Sequence, residues 1–325
     1  MRRLLLLALA GLLVLALVVT GVVTQTSDTP STTPVPNTAA TPEPPLPGPV
    51  GRYVALGDSY TAGPLIPWVR GDPASCLRSS RNYPALLAEW LQPEAVVDVS
   101  CSGAETRDLT RPQQGFGAPV APQLDAVTPD TDLVTLGLGG NDFDLFASLV
   151  AGERPAGIGA ALQRTTDRLA ASVRRIGELA PDAVVALVGY PRIVPERGTC
   201  AALPFDASTM RYLDRVERAL NAAVRAAAQQ EEAVFVDTYA ASRGHDVCAG
   251  EDAWVNGSTT RPLSALAYHP FEAGMAATAS ALHEALRGEP PTTRMRQQAS
   301  AALAPRPDGT LTLSGQRLVA GLLGG

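Results

Sequence analysis

The sequence contains no lysine, so its 26 basic residues are all arginine, and 32 acidic residues outnumber them. A net charge of −6 and the lack of a basic stretch exclude the charge pattern of a nucleic-acid-binding protein. Aromatic residues are scarce, at 5%, and histidine occurs three times. The 325-residue chain is nevertheless 46% hydrophobic, which excludes an intrinsically disordered protein and permits a large core.

A long apolar run occupies the N-terminus. Arg2 and Arg3 precede a segment without charged residues from Leu4 to Val23. About 20 residues at ~1.5 Å each span the ~30 Å hydrocarbon core of a bilayer, so residues 1–23 fit either a membrane anchor or a secretory signal peptide. In both cases the arginine pair stays in the cytoplasm and the rest is exported. We therefore expect a protein that is secreted or held at the outer face of the cell membrane.

The remaining chain divides by composition. Residues 24–50 are dominated by threonine and proline, which predicts a linker, either an extended spacer or a disordered lead-in. Residues 51–286 carry regular patterns and are predicted to form one folded domain. Residues 287–325 show no clear period, which predicts a flexible C-terminal tail.

Short β-branched runs alternate with helical patterns through residues 51–286. Each run is nearly continuous in apolar residues, which is typical of a parallel sheet covered by helices on both faces. One amphipathic helix in this region has Ser208 as its candidate N-cap. The pattern predicts an α/β fold, a three-layer α/β/α, doubly wound parallel sheet of about five strands. The predicted strands are 53–56, 95–100, 132–139, 183–189 and 233–237.

Reactive groups of such sheets lie on loops after the carboxyl ends of the strands. The first predicted strand leads into Asp58 and Ser59, where a serine hydroxyl and its backbone N–H lie at the positive end of a helix. The next two strands lead into Gly103 and Asn141. A glycine lets the backbone approach a ligand, and an asparagine amide can donate to an oxyanion. Each of these residues also suits an ordinary helix cap or turn.

The three histidines are the candidate general bases. His283 lies in a regular helical stretch and is predicted to face solvent. His245 and His269 lie on loops, and sequence distance does not choose between them.

Four blocks in this order resemble the SGNH (GDSL) hydrolase superfamily over about residues 52–286. They are Ser59 in GDSY, Gly103 in CSGAET, Asn141 in GGND and His269 in YHP. The resemblance implies a flavodoxin-like fold and a serine hydrolase with Ser59 as nucleophile and His269 as base. It implies an oxyanion hole made by the Ser59 and Gly103 N–H groups and the Asn141 side chain, with no metal and no cofactor.

The sequence departs from the superfamily at one position. Most members carry an aspartate three residues before the histidine, where this chain has Leu266. Similarity to secreted actinobacterial esterases that use a backbone carbonyl instead predicts a Ser–His dyad, with the carbonyl of Leu266 or Ala267 accepting from His269 Nδ1–H. The alternatives are that Asp246 or Glu272 reaches in from nearby, or that the site is weakened.

The four cysteines indicate two disulfides in an exported chain, with three pairings open. No C-x-x-C spacing exists, so a metal site is the weaker interpretation. The secreted esterases that the chain resembles imply the pairs Cys76–Cys101 and Cys200–Cys248.

The predicted function is hydrolysis of carboxylic esters outside the cytoplasm, esterase- or lipase-like, through an acyl-enzyme on Ser59. The segment 64–73, with Ile66 and Trp68, is expected either to border the acyl pocket or to serve in packing. The alternative function is a non-catalytic binding protein on a hydrolase scaffold. We expect a small-molecule or lipid ester as substrate, a monomeric chain, and contact with a membrane through the N-terminal helix if it is uncleaved.

Overall fold

The structure is a computed structural model that describes residues 43–114 and 118–302. In this part of the chain five parallel strands form a sheet in the spatial order β2-β1-β3-β4-β5. This order is that of flavodoxin-like sheets, and the predicted fold class is confirmed. The strands are β1 Arg52–Gly57, β2 Ala95–Asp98, β3 Leu133–Gly137, β4 Val184–Val188 and β5 Val234–Val236.

The strands are buried on both faces, which explains their nearly continuous apolar sequences. In the centre of the sheet, Val54 of β1 is aligned with Val97 on one side and Val134 on the other. Alternate residues of β1 point to opposite faces, so Tyr53 joins the core on one side of the sheet and Val54 the core on the other. Several predicted runs are longer than the strands because burial continues past the last paired residue, as at Leu138 after β3.

Helices cover both faces. The helices α2 and α7 pack against each other over the Tyr53 face, and α4 and α5 pack together over the Val54 face. The helices are α1 Ser59–Ala62, α2 Tyr83–Leu91, α3 Leu145–Val150, α4 Ile158–Leu179, α5 Ala207–Gln230, α6 Thr238–Ala241, α7 Glu272–Arg287 and α8 Thr293–Ala302.

Two local predictions about the helices are wrong. The N-cap of α5 is Asp206, whose side chain accepts the Thr209 N–H at 2.7 Å, while Ser208 lies inside the helix and its hydroxyl bonds to Asp206 at 2.9 Å. His283 is 5% exposed rather than solvent-facing. Its Nδ1 lies 2.8 Å from the Glu289 carbonyl oxygen, because the chain turns back over this side of α7 after the helix ends.

The packed structure extends beyond residues 51–286 at both ends. Leu46 is buried, and its N–H donates to the Leu286 carbonyl at 3.0 Å. Within the predicted tail, α8 packs on α2, and the Trp90 Nε1–H donates to the Met295 carbonyl at 3.1 Å. The predicted N-terminal membrane or signal segment and residues 24–42 of the linker lie outside the described residues. Within the described ranges, no helix has the length and apolar character needed to cross a membrane.

Candidate active site

The loop after β1 is organised by a buried carboxyl group. Asp58 caps α1, its Oδ1 accepting the Tyr60 N–H at 2.8 Å, so Ser59 is the first residue of the helix and its hydroxyl is not used as the cap. The other oxygen, Oδ2, accepts the Tyr190 hydroxyl at 2.6 Å, and that hydroxyl accepts the Gly140 N–H at 2.7 Å. These bonds join the loops that follow β1, β3 and β4. Helix capping was one of the roles expected of Asp58, whereas its bond to Tyr190 was not predicted.

Ser59 and His269 meet although 210 positions separate them. The His269 Nε2 lies 2.7 Å from the Ser59 Oγ, and its Nδ1 lies 2.7 Å from the Ala267 carbonyl oxygen. A carbonyl only accepts, so Nδ1 carries the hydrogen and Nε2 has its lone pair free for the serine hydroxyl. The carbonyl that accepts the Nδ1 hydrogen is therefore that of Ala267, one of the two that were predicted. The Leu266 carbonyl instead accepts the His269 N–H at 3.2 Å and the Asn256 side-chain amide at 3.1 Å.

The two alternative carboxylates have other partners. The Asp246 Oδ1 accepts the Cys248 N–H at 2.9 Å within its own turn. Glu272 pairs with Arg81 at the start of α7. Neither is hydrogen bonded to His269, and within residues 43–114 and 118–302 the hydrogen-bond partner of its Nδ1 is the Ala267 carbonyl.

The other loop histidine, His245, has partners of its own. The His245 Nδ1 lies 2.7 Å from the Asp252 carbonyl oxygen, and its ring stacks on Trp254 with 4.1 Å between the ring centroids. The contacts of the two rings therefore identify His269 as the candidate base, a choice that sequence spacing did not allow.

The surroundings of His269 favour its neutral form. Its ring packs near Tyr60, with 5.2 Å between the ring centroids, and the Tyr60 hydroxyl donates to the Tyr268 carbonyl at 2.6 Å. Burial lowers the pKa of His269 to about 4, and the bond to the Ala267 carbonyl opposes this in part. None of the described carboxylates is bonded to the ring to stabilise the imidazolium, so the resting ring is an unprotonated base at neutral pH.

The Gly103 and Asn141 loops lie side by side. The Asn141 amide donates to the Ala104 carbonyl at 3.0 Å, and Gly103 adopts a left-handed φ of 78°. Within the described ranges the backbone N–H groups of Ser59 and Gly103 have no hydrogen-bond partner.

Asp142, next to Asn141, fixes this arrangement. Its two carboxyl oxygens accept the N–H of Thr106 at 2.8 Å and the hydroxyls of Thr106 and Thr165 at 2.7 and 2.9 Å. The sequence did not indicate this role, since an aspartate after Gly-Gly-Asn is also an ordinary turn residue.

A mostly apolar cavity of about 340 Å³ adjoins the dyad. Ser59, Asn141 and His269 line one part of it, and apolar side chains from α3, α5 and the loop after β4 line most of the rest. Two roles were expected for the segment of Ile66 and Trp68, packing or bordering the pocket; neither residue lines the cavity, and Ile66 serves in packing. Ile66 is fully buried in the core and Trp68 is 51% exposed. The chain after α1 turns towards β2, whereas the cavity lies on the β3 and β4 side of the sheet. The cavity wall includes Leu145, Phe146, Leu149, Ile193, Leu213 and Val216.

Two disulfides hold the loops, Cys76–Cys101 and Cys200–Cys248, the pairs that the resemblance implied. The first joins the segment after α1 to the loop that bears Gly103. The second joins the loop after β4 to the loop of His245. Among the described residues no group of His, Cys, Asp or Glu side chains is arranged to hold a metal ion.

A parallel sheet with a serine and an imidazole bonded at its carboxyl edge, beside an apolar cavity, defines a class of α/β hydrolytic enzymes. The family model for GDSL-like lipases and acylhydrolases matches residues 55–277. The chain belongs to this family, and it is a carboxylic ester hydrolase of the esterase or lipase type.

Individual relatives agree with this assignment. Lipase 2 of Streptomyces coelicolor is 39% identical over 219 residues, which are 60% of this chain and 72% of that protein. Two solved structures are each 28% identical with a TM-score of 0.61, covering 72% of this chain and 99% of theirs. They are a phospholipase A1 from Streptomyces albidoflavus and an extracellular lipase from Streptomyces rimosus.

Proposed function

We propose that the protein is an exported serine esterase that cleaves carboxylic esters through an acyl-enzyme on Ser59, with His269 as general base. The observation that carries the proposal is the pair of 2.7 Å contacts of His269, one to the Ser59 hydroxyl and one to the Ala267 carbonyl. The second contact fixes the tautomer that the first requires.

The reaction has two halves. His269 takes the Ser59 proton as Oγ attacks the ester carbonyl, and it then gives this proton to the leaving alcohol. Water attacks the resulting acyl-enzyme with the same histidine as base, which releases the acid and restores Ser59. The N–H groups of Ser59 and Gly103 and the Asn141 amide stabilise the oxyanion in both halves, and losing one such donor typically costs about 10²–10³ in turnover.

The cavity beside Ser59 is the pocket for the acyl group. Its apolar wall favours chains longer than acetyl, because each buried methylene contributes about 0.8 kcal/mol, or roughly fourfold in kcat/KM. Lipid-like esters are therefore the expected substrates. The phospholipase and lipase activities named for the two structural relatives support this class.

Two features support export. The N-terminal apolar run after Arg2 and Arg3 has the composition of a signal or anchor. Two disulfides are typical of proteins outside the reducing cytoplasm.

The missing aspartate is the sole reason to consider a non-catalytic binding protein. The Ala267 carbonyl accepts the His269 N–H that an aspartate would accept. We therefore propose no binding function.

Hydrolysis of p-nitrophenyl octanoate tests the dyad. Ser59→Ala and His269→Ala should each lower kcat by about 10³-fold or more, because nucleophile and base act as one unit. Asp246→Ala is the matched control, since Asp246 bonds only within its own turn, and its activity should stay within about twofold of wild type. Wild-type-like turnover by His269→Ala would overturn the assignment.

A further inference from the structure

The Gly103 loop contains a tight turn whose central peptide carries the Gly103 N–H. The Ala104 N–H donates to the Cys101 carbonyl at 3.0 Å and closes a four-residue β-turn, in which Gly103 is the third residue, with a φ of 78°. A φ of about +80° at this position belongs to the type II turn, whereas a type I turn needs about −90°. The two forms differ by nearly half a turn of the Ser102–Gly103 peptide, which reverses the direction of its N–H.

Glycine by itself does not select one of these forms. Because it has no Cβ, Gly103 can adopt positive and negative φ about equally well. The direction of its N–H therefore depends on a contact that holds the central peptide from outside the turn.

That contact is the side chain of Gln113. Its Nε2–H donates to the Ser102 carbonyl at 2.9 Å, and the residue is 8% exposed. Within residues 43–114 and 118–302 this is the hydrogen bond that the Ser102 carbonyl accepts. The backbone of Gln113 is fixed in turn by two bonds to Val120, at 2.9 and 3.0 Å. The central peptide of the turn is thus held by a buried amide on an anchored segment.

Holding the carbonyl also sets the direction of the N–H. The Ser102–Gly103 peptide is trans, so its C=O and N–H point in opposite directions, and the Gly103 N–H points away from Gln113. This N–H has no hydrogen-bond partner in the described ranges and is free for a ligand. A carbonyl that accepts a hydrogen bond also polarises its own peptide, which makes the N–H a stronger donor.

We propose that Gln113 is a positioning residue of the oxyanion hole, which keeps the Gly103 N–H directed at the oxyanion by holding the central peptide in the type II orientation. Gln113 does not line the cavity and acts through Gly103. The inference rests on the proposed function, because it takes the Gly103 N–H as an oxyanion donor. The oxyanion develops in the transition state and is absent from the bound ester, so the effect of Gln113 belongs in kcat rather than in KM.

Gln113→Met tests this role, because methionine has a similar length and no N–H to donate. Its kcat on p-nitrophenyl octanoate should fall by about 10- to 100-fold, somewhat less than the ~10²–10³ for complete loss of a donor, since part of the population keeps the type II form. KM should stay within about twofold of wild type. Gln114→Met is the matched control: the neighbouring Gln114 is exposed, and both of its constants should stay within about twofold of wild type.

A transition-state analogue separates positioning from a purely structural role. The Ser59 Oγ adds to the carbonyl carbon of 1,1,1-trifluoro-2-nonanone, its proton passes to His269, and the ketone oxygen becomes an oxyanion. In Gln113→Met the inhibition constant should rise by the factor by which kcat falls. A Gln113→Met protein with a lower urea midpoint but wild-type kcat and inhibition constant would overturn the proposal.

Nuclear magnetic resonance of the wild-type protein decides the question even if Gln113→Met fails to fold. When the ketone adduct forms, the proton signals of the Gly103 N–H and the Gln113 Nε2–H should both move downfield, because their hydrogen bonds polarise each other through one peptide. The side-chain amide signals of Gln114 should stay in place. A shift at Gly103 with none at Gln113 would overturn the role of Gln113 alone. An unchanged Gly103 signal in the inhibited enzyme would instead refute the proposed oxyanion hole.

Discussion

The pH dependence of kcat/KM reports how His269 is oriented. A general base works when it is unprotonated, so the rate falls as the pH drops through its pKa in the free enzyme. Burial lowers the pKa of His269 to about 4, and in the part of the chain that the structure describes no carboxylate is bonded to the ring to raise it. We expect the acid limb of the wild type below about pH 5.5, well under the ordinary histidine value of about 6.5.

Leu266→Asp places a carboxylate where most of the superfamily has one. The His269 N–H donates to the Leu266 carbonyl at 3.2 Å, and residues joined in such a turn have Cα atoms within about 7 Å. A carboxylate at 266 can therefore approach the ring, and an opposite charge at about 4–6 Å favours the charged form by about 1–3 pKa units. The acid limb should move to higher pH by at least one unit, equivalent to about 1.4 kcal/mol. Leu266→Asn is the uncharged control and should leave the limb in place.

The assay is chromatographic measurement of octanoate released from p-nitrophenyl octanoate between pH 3.5 and 8. Burial also raises the pKa of Asp58 to about 7, so Asp58→Asn is included to remove that titration. A limb that persists in Asp58→Asn and moves in Leu266→Asp belongs to His269. Two results would refute the reasoning. One is a wild-type acid limb near pH 6.5 that remains in Asp58→Asn. The other is an acid limb at the same pH in Leu266→Asp and Leu266→Asn.

Two further predictions concern stability. Replacing Cys76 and Cys101 by alanine opens a loop with a sequence separation of 25. In the chain-entropy model this should lower the free energy of unfolding, measured by urea denaturation, by about 3.5 kcal/mol. A loss below about 1 kcal/mol would contradict this prediction. Tyr190→Phe removes the hydroxyl between Asp58 and Gly140, leaving two buried groups without their partner, and should cost about 2–4 kcal/mol in the same assay. An unchanged denaturation midpoint in Tyr190→Phe would show that these bonds do not hold the loops together.

Most residues of the candidate site could be predicted from the sequence because the strand order could be predicted. Carboxyl ends of neighbouring parallel strands meet at one edge of a sheet, so Ser59, Gly103 and Asn141 could be assigned to adjacent loops once β1, β2 and β3 were recognised. His269 follows no strand, and its assignment needed the resemblance to a family. The choice between Leu266 and Ala267 depends on one turn of the backbone, which residue types do not determine.

Other features depend on tertiary packing that has no local pattern. Ile66 is apolar and close in sequence to the serine, yet the chain turns towards β2 and buries it away from the cavity. His283 lies at a helical position that Trp90 of α2 and the residues after α7 cover.

Covalent trapping tests the central claim most directly. The protein is treated with a serine-directed p-nitrophenyl phosphonate at pH 7, and the digest is analysed by mass spectrometry. We predict one adduct, on the peptide that contains Ser59, with parallel loss of esterase activity and no labelling of Ser59→Ala. Full loss of activity with the adduct on another residue, or full activity after complete labelling of Ser59, would contradict the account.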